Sequence, residues 1–343
     1  MADHEPRTFF VTRYDLRAPG ADPAARQELY ARAVEQAAYA ERCGQDALTL
    51  SEHHAADDGY LPSPLPVAAA FAAVTSRISI SIAALLVNLY DPIRLAEDIA
   101  VLDHLSGGRV TYTVGLGYRH EEYDLHGRAW ESRGRDVEER LRVLLAAWTG
   151  EPFEHGGRTV RVTPTPFSRP RPILFYGGGS EPAARRAARL GLHFQPQTDD
   201  RELRRLYRDE CRRLGREPGM VVAPSPGPAT VFCAEDPDAF WAAHGQHLLA
   251  DARGYQAWRE GADEADHFVL DRSTTVEGLR AAGKYVVLSP DELVDRCRAG
   301  TLPLVTSHPG CGGMPAEPSW EHLRLIGERV LPVLREAAVS PAP

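Results

Sequence analysis

The 343-residue chain is poor in the features that mark several protein classes. It has no long apolar run. The richest stretch, residues 78–90, is broken by serines and Asn88 and is too short to span a bilayer. The opening residues, MADHEPRTFF, carry acidic side chains and no apolar segment ahead of a cleavage site, so a secretory signal is not expected. Five cysteines, at positions 43, 211, 233, 297 and 311, form no C-x-x-C pair and leave one over. That pattern suits a reducing cytoplasm better than a disulfide framework or a zinc knuckle. An excess of basic charge is also missing: 48 acidic against 39 basic residues give a net charge of −9, the wrong sign for general affinity to nucleic acid. The arginines of 204–216 alternate with acids and read as a solvated helix face.

What is present is an ordinary globular composition, 43% hydrophobic and 25% charged, on a chain long enough to bury a sizeable core. Short, β-branched segments at 8–14, 46–50, 78–86, 109–115, 173–176 and 192–195 read as strands. Segments with helical spacing at 23–43, 67–76, 92–105, 133–148, 182–190 and 201–214 alternate with them. A last unit is expected as helix 290–299, strand 302–305 and helix 320–336. Between the units lie a proline-rich excursion at 150–172, with a hairpin-like centre (FEHGGRTVRV), and a variable insertion at 215–284. Strict alternation favours a parallel sheet. Six or more consecutive units without a linker favour an α/β fold closed into a single (β/α)8 TIM barrel over 1–343.

In such barrels the loops after the strands carry the site. Glu52-His53-His54 follows the second strand. Adjacent histidines invite a metal, but successive strand residues point to opposite faces and no third ligand of familiar spacing is near. A histidine acting as general acid or base at the barrel mouth, or one that merely ties the loop down, fits better. Gly177-Gly178-Gly179-Ser180 stands between a strand and a helix opening at Pro182, where backbone N–H groups and a helix N-terminus suit a phosphate. A simple tight turn is the plain alternative. Gly115-Leu116-Gly117-Tyr118 ends another strand. It does not continue as a dinucleotide fingerprint, because residue 120 is histidine, and neither a Walker loop nor a G-x-S-x-G elbow occurs.

In order, SEHHAADDGYLPSPLPVAAAFAAVTSRI, IAALLVNLYDPIRLAEDIAVLDHLSGGRV, VGLGYRHEEY, PILFYGGGSEPAARRAARLGL and LPLVTSHPGCGGMPAEPSWEHLRLIGERVLPVL resemble the luciferase-like flavin-dependent monooxygenases. The resemblance covers most of 8–196 and 285–337. It implies a (β/α)8 barrel, and FMN arriving as FMNH2 from a separate reductase and reacting with O2 to give a flavin C4a-peroxide. It also implies a small organic substrate and a cytoplasmic homodimer. Residue by residue, it places the essential histidine on His53 and the next on His54. A non-prolyl cis peptide against the flavin falls at Ala83–Ala84, and phosphate contacts fall at Gly178, Gly179 and Ser180. A loop closing on the same cofactor falls at Gly117, Tyr118 and Glu122. Where the luciferase subunit has a reactive cysteine followed by an arginine, this chain has Gly115 and Leu116. Light emission is therefore not expected, and Arg119 or an arginine of helix 182–190 is the candidate replacement. Tyr14, Tyr60, Leu86, Tyr118 and Trp130 are candidates for the pocket wall or for ordinary packing. Two rival readings share the fold: a deazaflavin-dependent reductase or dehydrogenase, and a non-catalytic flavin-binding barrel.

Overall fold

Short strands and proline-led helices alternate along the chain, whose computed structural model describes residues 7–258 and 271–336. In order these are β1 (Phe9–Tyr14), α1 (Pro23–Arg42), β2 (Ala47–Leu50), α2 (Pro64–Val74), β3 (Ser79–Leu85), α3 (Pro92–Ser106), β4 (Val110–Val114), α4 (His120–Leu125) and α5 (Arg133–Ala147). There follow β5 (Phe153–His155), β6 (Arg158–Val160), β7 (Leu174–Gly177), α6 (Glu181–Leu190), β8 (His193–Gln195), α7 (Arg201–Arg213), β9 (Thr230–Cys233) and α8 (Pro237–Ala257). The chain continues with α9 (Val276–Ala282), β10 (Tyr285–Leu288), α10 (Pro290–Arg298) and β11 (Leu304–Ser307). It closes on α11 (Ala316–Leu325), a π-helical segment (Ile326–Val330) and α12 (Leu331–Glu336).

The helix ends follow local chemistry. Asp22 and Asp91 cap α1 and α3 by accepting backbone N–H groups, each with proline in the first turn. Gly107 and Gly191 end α3 and α6 in the left-handed conformation.

Chain packing resolves two units. The first comprises Met1–Thr49, Asp57–Tyr60 and Ser225–Pro343. Within it β1 pairs in parallel with β11 and also neighbours β2, while β9 and β10 form a second parallel pair. Its apolar core gathers Phe10, Val231, Leu288, Leu293, Val305, Ile326 and Val330. The second comprises Leu50–Ala56 and Leu61–Pro224. Here β3, β4, β7 and β8 run parallel in that order, and β5 and β6 form the antiparallel hairpin expected inside the proline-rich excursion. In that excursion Thr163–Pro164 and Arg169–Pro170 are cis.

Two elements depart from the sequence reading. Residues 115–130, read as loop, contain α4, whose six residues are too few to show a helical period. Residues 285–288, assigned to nothing, form the β10 strand that completes the β9 pair. Part of the 215–284 insertion, 259–270, lies outside the described residues; the rest holds β9, α8 and α9.

Candidate active site

The second unit sets four strand ends side by side. Val114 on β4 pairs with Leu85 on β3 and with Tyr176 on β7, and Gly177 pairs with Gln195 on β8. The loops that leave these ends therefore start from one edge, which is where α/β sheets carry their ligands. At the first end the Ala83–Ala84 peptide is cis, as the resemblance implied, and a register shift lies between Ala83 and Leu85. At the second, a Cβ on Gly115 would stand 2.8 Å from Ala84 Cβ, so a cysteine there would have to displace the neighbouring strand end. Gly117 has φ +75, a conformation that favours glycine.

The Glu52-His53-His54 segment is buried and each of its side chains is engaged. His53 Nδ1 lies 2.8 Å from Glu122 Oε1, and its Nε2 lies 3.0 Å from the Tyr118 hydroxyl. Glu122 is fully buried; the same Oε1 accepts the His54 N–H at 2.9 Å, while Oε2 is left with no hydrogen-bond partner. With the Glu122 carboxylate accepting from Nδ1–H, Nε2 of a neutral His53 accepts from Tyr118 O–H. The two histidines face different acids. His54 Nε2 meets Glu52 Oε1 at 2.9 Å, and its Nδ1 lies 3.4 Å from Nε2 of the exposed His126.

Glu52 also accepts from the Leu86 N–H and the Tyr90 hydroxyl, both at 2.8 Å. It thereby ties the β2 loop to the chain leaving β3. Burial and the Glu52 carboxylate hold the Tyr90 phenol well above its usual range, so it stays a donor. Helix α4 supplies Glu122 and, one residue on, Tyr123, whose hydroxyl donates to the Leu116 carbonyl and fixes the glycine loop.

Sequence reasoning named His53, His54, Tyr118 and Glu122, and the structure brings these four together. It missed the bridging of Glu52, and it missed Tyr90 and His126 altogether. The Glu-His-His string marked Glu52, whereas Tyr90 and His126 carry no motif. Arg119 is buried, donates to the His54 carbonyl and lies 3.6 Å from Glu122. On α6, Arg186 donates to Tyr176 and approaches Glu138 at 3.5 Å, and Arg189 pairs with Glu138 at 2.8 Å. Leu86 and Trp130 pack with Leu89, Tyr90 and Tyr123, whereas Tyr14 and Tyr60 are buried in the first unit.

The glycine run leaves β7 as expected. Gly178 N–H donates to the Gln195 carbonyl at 3.2 Å, and Ser180 begins α6 without using its hydroxyl as a cap. Gly178 has a packing reason too, since a Cβ there would lie 2.7 Å from Ala183 Cβ. Gly179 and Ser180 are part-exposed, so the α6 terminus is open to a ligand.

A family model for the luciferase-like monooxygenases matches residues 11–302. The chain belongs to this family. Among curated luciferase-like relatives, an FMNH2-dependent dimethylsulfone monooxygenase of Pseudomonas putida is 33% identical over 129 residues, 35% of each chain. Matches to the first curated relatives span between 35% and 54% of those proteins' lengths. Two solved structures share the fold. One is the oxygenating constituent of the Pseudomonas putida 3,6-diketocamphane monooxygenase, a type II Baeyer–Villiger enzyme with FMN. It has a TM-score of 0.69 and 20% identity over 95% of this chain and 98% of that one. The other is an F420-dependent secondary alcohol dehydrogenase, with a TM-score of 0.65 and 16% identity over 96% and 99%. The fold is thus α/β and of the luciferase-like TIM-barrel type. Among the described residues no helix is long and apolar enough to cross a membrane.

Proposed function

We propose that this chain is a flavin-dependent monooxygenase, an oxidoreductase that uses FMNH2 from a separate flavin reductase, together with O2, to oxygenate a small organic substrate. Hydroxylation and Baeyer–Villiger insertion both fall within this reading. The observation that carries it is the Glu122–His53–Tyr118 hydrogen-bonded chain beside the Gly115–Gly117 turn.

The residues present fit the cofactor. Gly179 and Ser180 would offer backbone donors and an uncommitted hydroxyl for one phosphate, in keeping with a chain of negative net charge, while Gly178, whose N–H is taken by Gln195, would let the backbone approach it. Glu181 in the first turn of α6 opposes an anion there, and Arg185, 3.7 Å away, offsets it. Ala83, Ala84 and Gly117, with Tyr118, would line the flat ring. Bound there, FMNH2 would supply the electrons and the oxygen activation, leaving the protein to position groups and move protons. Proton movement falls to His53. Glu122 fixes its tautomer and stabilises its cation, and Tyr118 carries the proton at the half-buried end. No thiol stands at position 115, and light emission is not part of the proposal.

Three exposed apolar residues on early helices, Val74 on α2 and Val101 and Leu105 on α3, support a homodimer, and five free cysteines support a reducing cytoplasm. The likeness to an F420-dependent enzyme keeps a deazaflavin reductase or dehydrogenase as the second reading. The decisive experiment supplies FMNH2 through a flavin reductase and screens aldehydes, ketones and aromatic polyketide-like compounds under O2. Oxygenated product that vanishes in His53→Ala is the expected result. Tight binding of reduced deazaflavin with substrate reduction and no O2 uptake would replace the proposal with the second reading. FMN capture without any turnover would leave a non-catalytic flavin-binding barrel.

A further inference from the structure

The two histidines of the Glu-His-His segment divide their labour between two acids, and His54 leads outward through His126. His53 meets Glu122 and Tyr118. His54 is sandwiched between buried Glu52, at 2.9 Å from Nε2, and exposed His126, at 3.4 Å from Nδ1, with the two imidazoles edge-on at 83° and 4.8 Å between centroids. We propose that His126 is the surface port of a proton relay, His126–His54–Glu52, that loads the buried Glu-His-His segment from solvent.

The chemistry balances with one proton and no electrons. Imidazole carries protons because it can bind one at one nitrogen while releasing another. In the resting arrangement Glu52 accepts from His54 Nε2–H, so Nδ1 of neutral His54 has a lone pair for His126 Nε2–H. A proton taken from water on Nδ1 of His126 is matched by transfer of the Nε2 proton to Nδ1 of His54. His126 is left neutral in its other tautomer, and the new His54 imidazolium sits against the Glu52 carboxylate. Glu52 is well placed to hold that charge, because Leu86 N–H and Tyr90 O–H fix both of its oxygens.

The groups facing the pair are few. Around His54 stand Glu52 and His126 at the ring, with Glu122 and Arg119 at its backbone. Tyr90 acts on it through Glu52. His126 feels His54, Glu52, Arg128 and Glu122, and partial burial and then His54 lower its affinity for a proton. A lowered affinity suits a port, since a permanently charged ring could not pass a proton on. His126 is a positioning and relay residue in this account. The role it serves in turnover rests on the monooxygenase reading, whereas the relay itself does not.

The test is therefore made first on the ligand-free protein. Imidazole nitrogens labelled with 15N are followed by NMR from pH 4.5 to 9 in the wild type, His126→Gln and His126→Ala. His126 is exposed, and unchanged far-UV circular dichroism confirms that the variants fold. The relay predicts that replacing His126 alters the response of the His54 15N signals to pH. Identical His54 curves in all three proteins would overturn the relay. In the reconstituted enzyme, His126→Ala should lose turnover in weakly buffered medium and regain it with added imidazole, while His126→Gln lowers kcat without raising KM. Failure of imidazole to rescue would also overturn the relay. Coupled titration with no FMNH2-dependent turnover would instead overturn the monooxygenase reading and leave the relay standing.

Discussion

Each unit of the molecule buries a cluster of charged side chains, and the two clusters are built on opposite plans. In the first unit Asp251 accepts from Arg17 at 3.2 Å, Arg13 at 3.3 Å and Tyr285 at 2.7 Å. His308 has Arg13 at 2.9 Å on one nitrogen and Asp15 at 3.1 Å on the other. Burial works against the charge of Arg17, yet Asp251 and Asp15 hold its affinity for a proton above normal. Asp251, His308 and Cys311 lie close enough to suggest a metal site, but His308 Nδ1 is engaged by Arg13, which points its own cation at the ring. Here fixed cations meet carboxylates, although Arg13 Nε, Asp15 Oδ2 and His308 Nε2 are left without hydrogen-bond partners, as Glu122 Oε2 is in the second unit. The second cluster instead sets imidazoles against carboxylates, at His53–Glu122 and His54–Glu52. An arginine–aspartate cluster fixes its charges, whereas an imidazole can bind or release a proton.

The largest expected effect tests the arginine–aspartate cluster. Asp251→Ala leaves two buried guanidinium groups short of a carboxylate, and breaking such a network costs about 3–5 kcal/mol. Chemical denaturation should show it as a lower midpoint with an unchanged slope. A loss under about 1 kcal/mol would mean that the first cluster is as loosely coupled as an exposed ion pair. Glu122→Gln tests the histidine–glutamate cluster and should invert the pattern. The amide still accepts from the His54 N–H, so the denaturation midpoint moves little. Turnover should fall by about 10²–10⁴-fold, the usual contribution of a positioned acid–base group, because no carboxylate remains to hold the His53 cation. A variant destabilised as strongly as Asp251→Ala but fully active would erase the distinction.

Histidines sharpen the same comparison through pH. His322 in the first unit is fully buried; burial pushes it down to about 3, and its Nδ1 accepts the Cys233 N–H at 2.8 Å. A folded value below the unfolded one means that the contribution is complete above about pH 6.5 and drains away as pH falls towards 3. The unfolding free energy should drop by up to about 1.4 kcal/mol per pH unit across that window. Equilibrium denaturation from pH 7 to 4 measures it, and His322→Asn should flatten the profile. A profile already flat in the wild type would show that the ring is not held neutral.

These contrasts also mark how far a sequence can be read. Most strands, the hairpin, the glycine run and the cis peptide were legible because each has a local signal: β-branching, proline, consecutive glycines or a family string. Tyr90 and His126 were not, since they reach their partners over 38 and 72 residues and nothing local announces the pairing. The first cluster was entirely silent. Arg13 finds Asp251 at a separation of 238 residues and His308 at 295, so only the folded chain puts them together. Four-residue β10 and six-residue α4 failed for the complementary reason, being shorter than the periods by which elements are recognised.

The smallest expected effect falls on the feature that the sequence announced most openly. Ser180 stands where an N-cap belongs, and an N-cap serine changed to alanine ordinarily costs about 1 kcal/mol of stability. Its hydroxyl makes no capping bond here, so Ser180→Ala should shift the thermal midpoint by much less than a capping serine would. If the hydroxyl instead serves a phosphate, flavin affinity should fall by about 2- to 12-fold, the worth of one hydrogen bond of roughly 0.5–1.5 kcal/mol. Titration calorimetry with FMN and a melting curve on the same variant separate the two roles. Lost stability with unchanged affinity would return Ser180 to the helix. Lost affinity with unchanged stability would assign the Ser180 hydroxyl to the ligand.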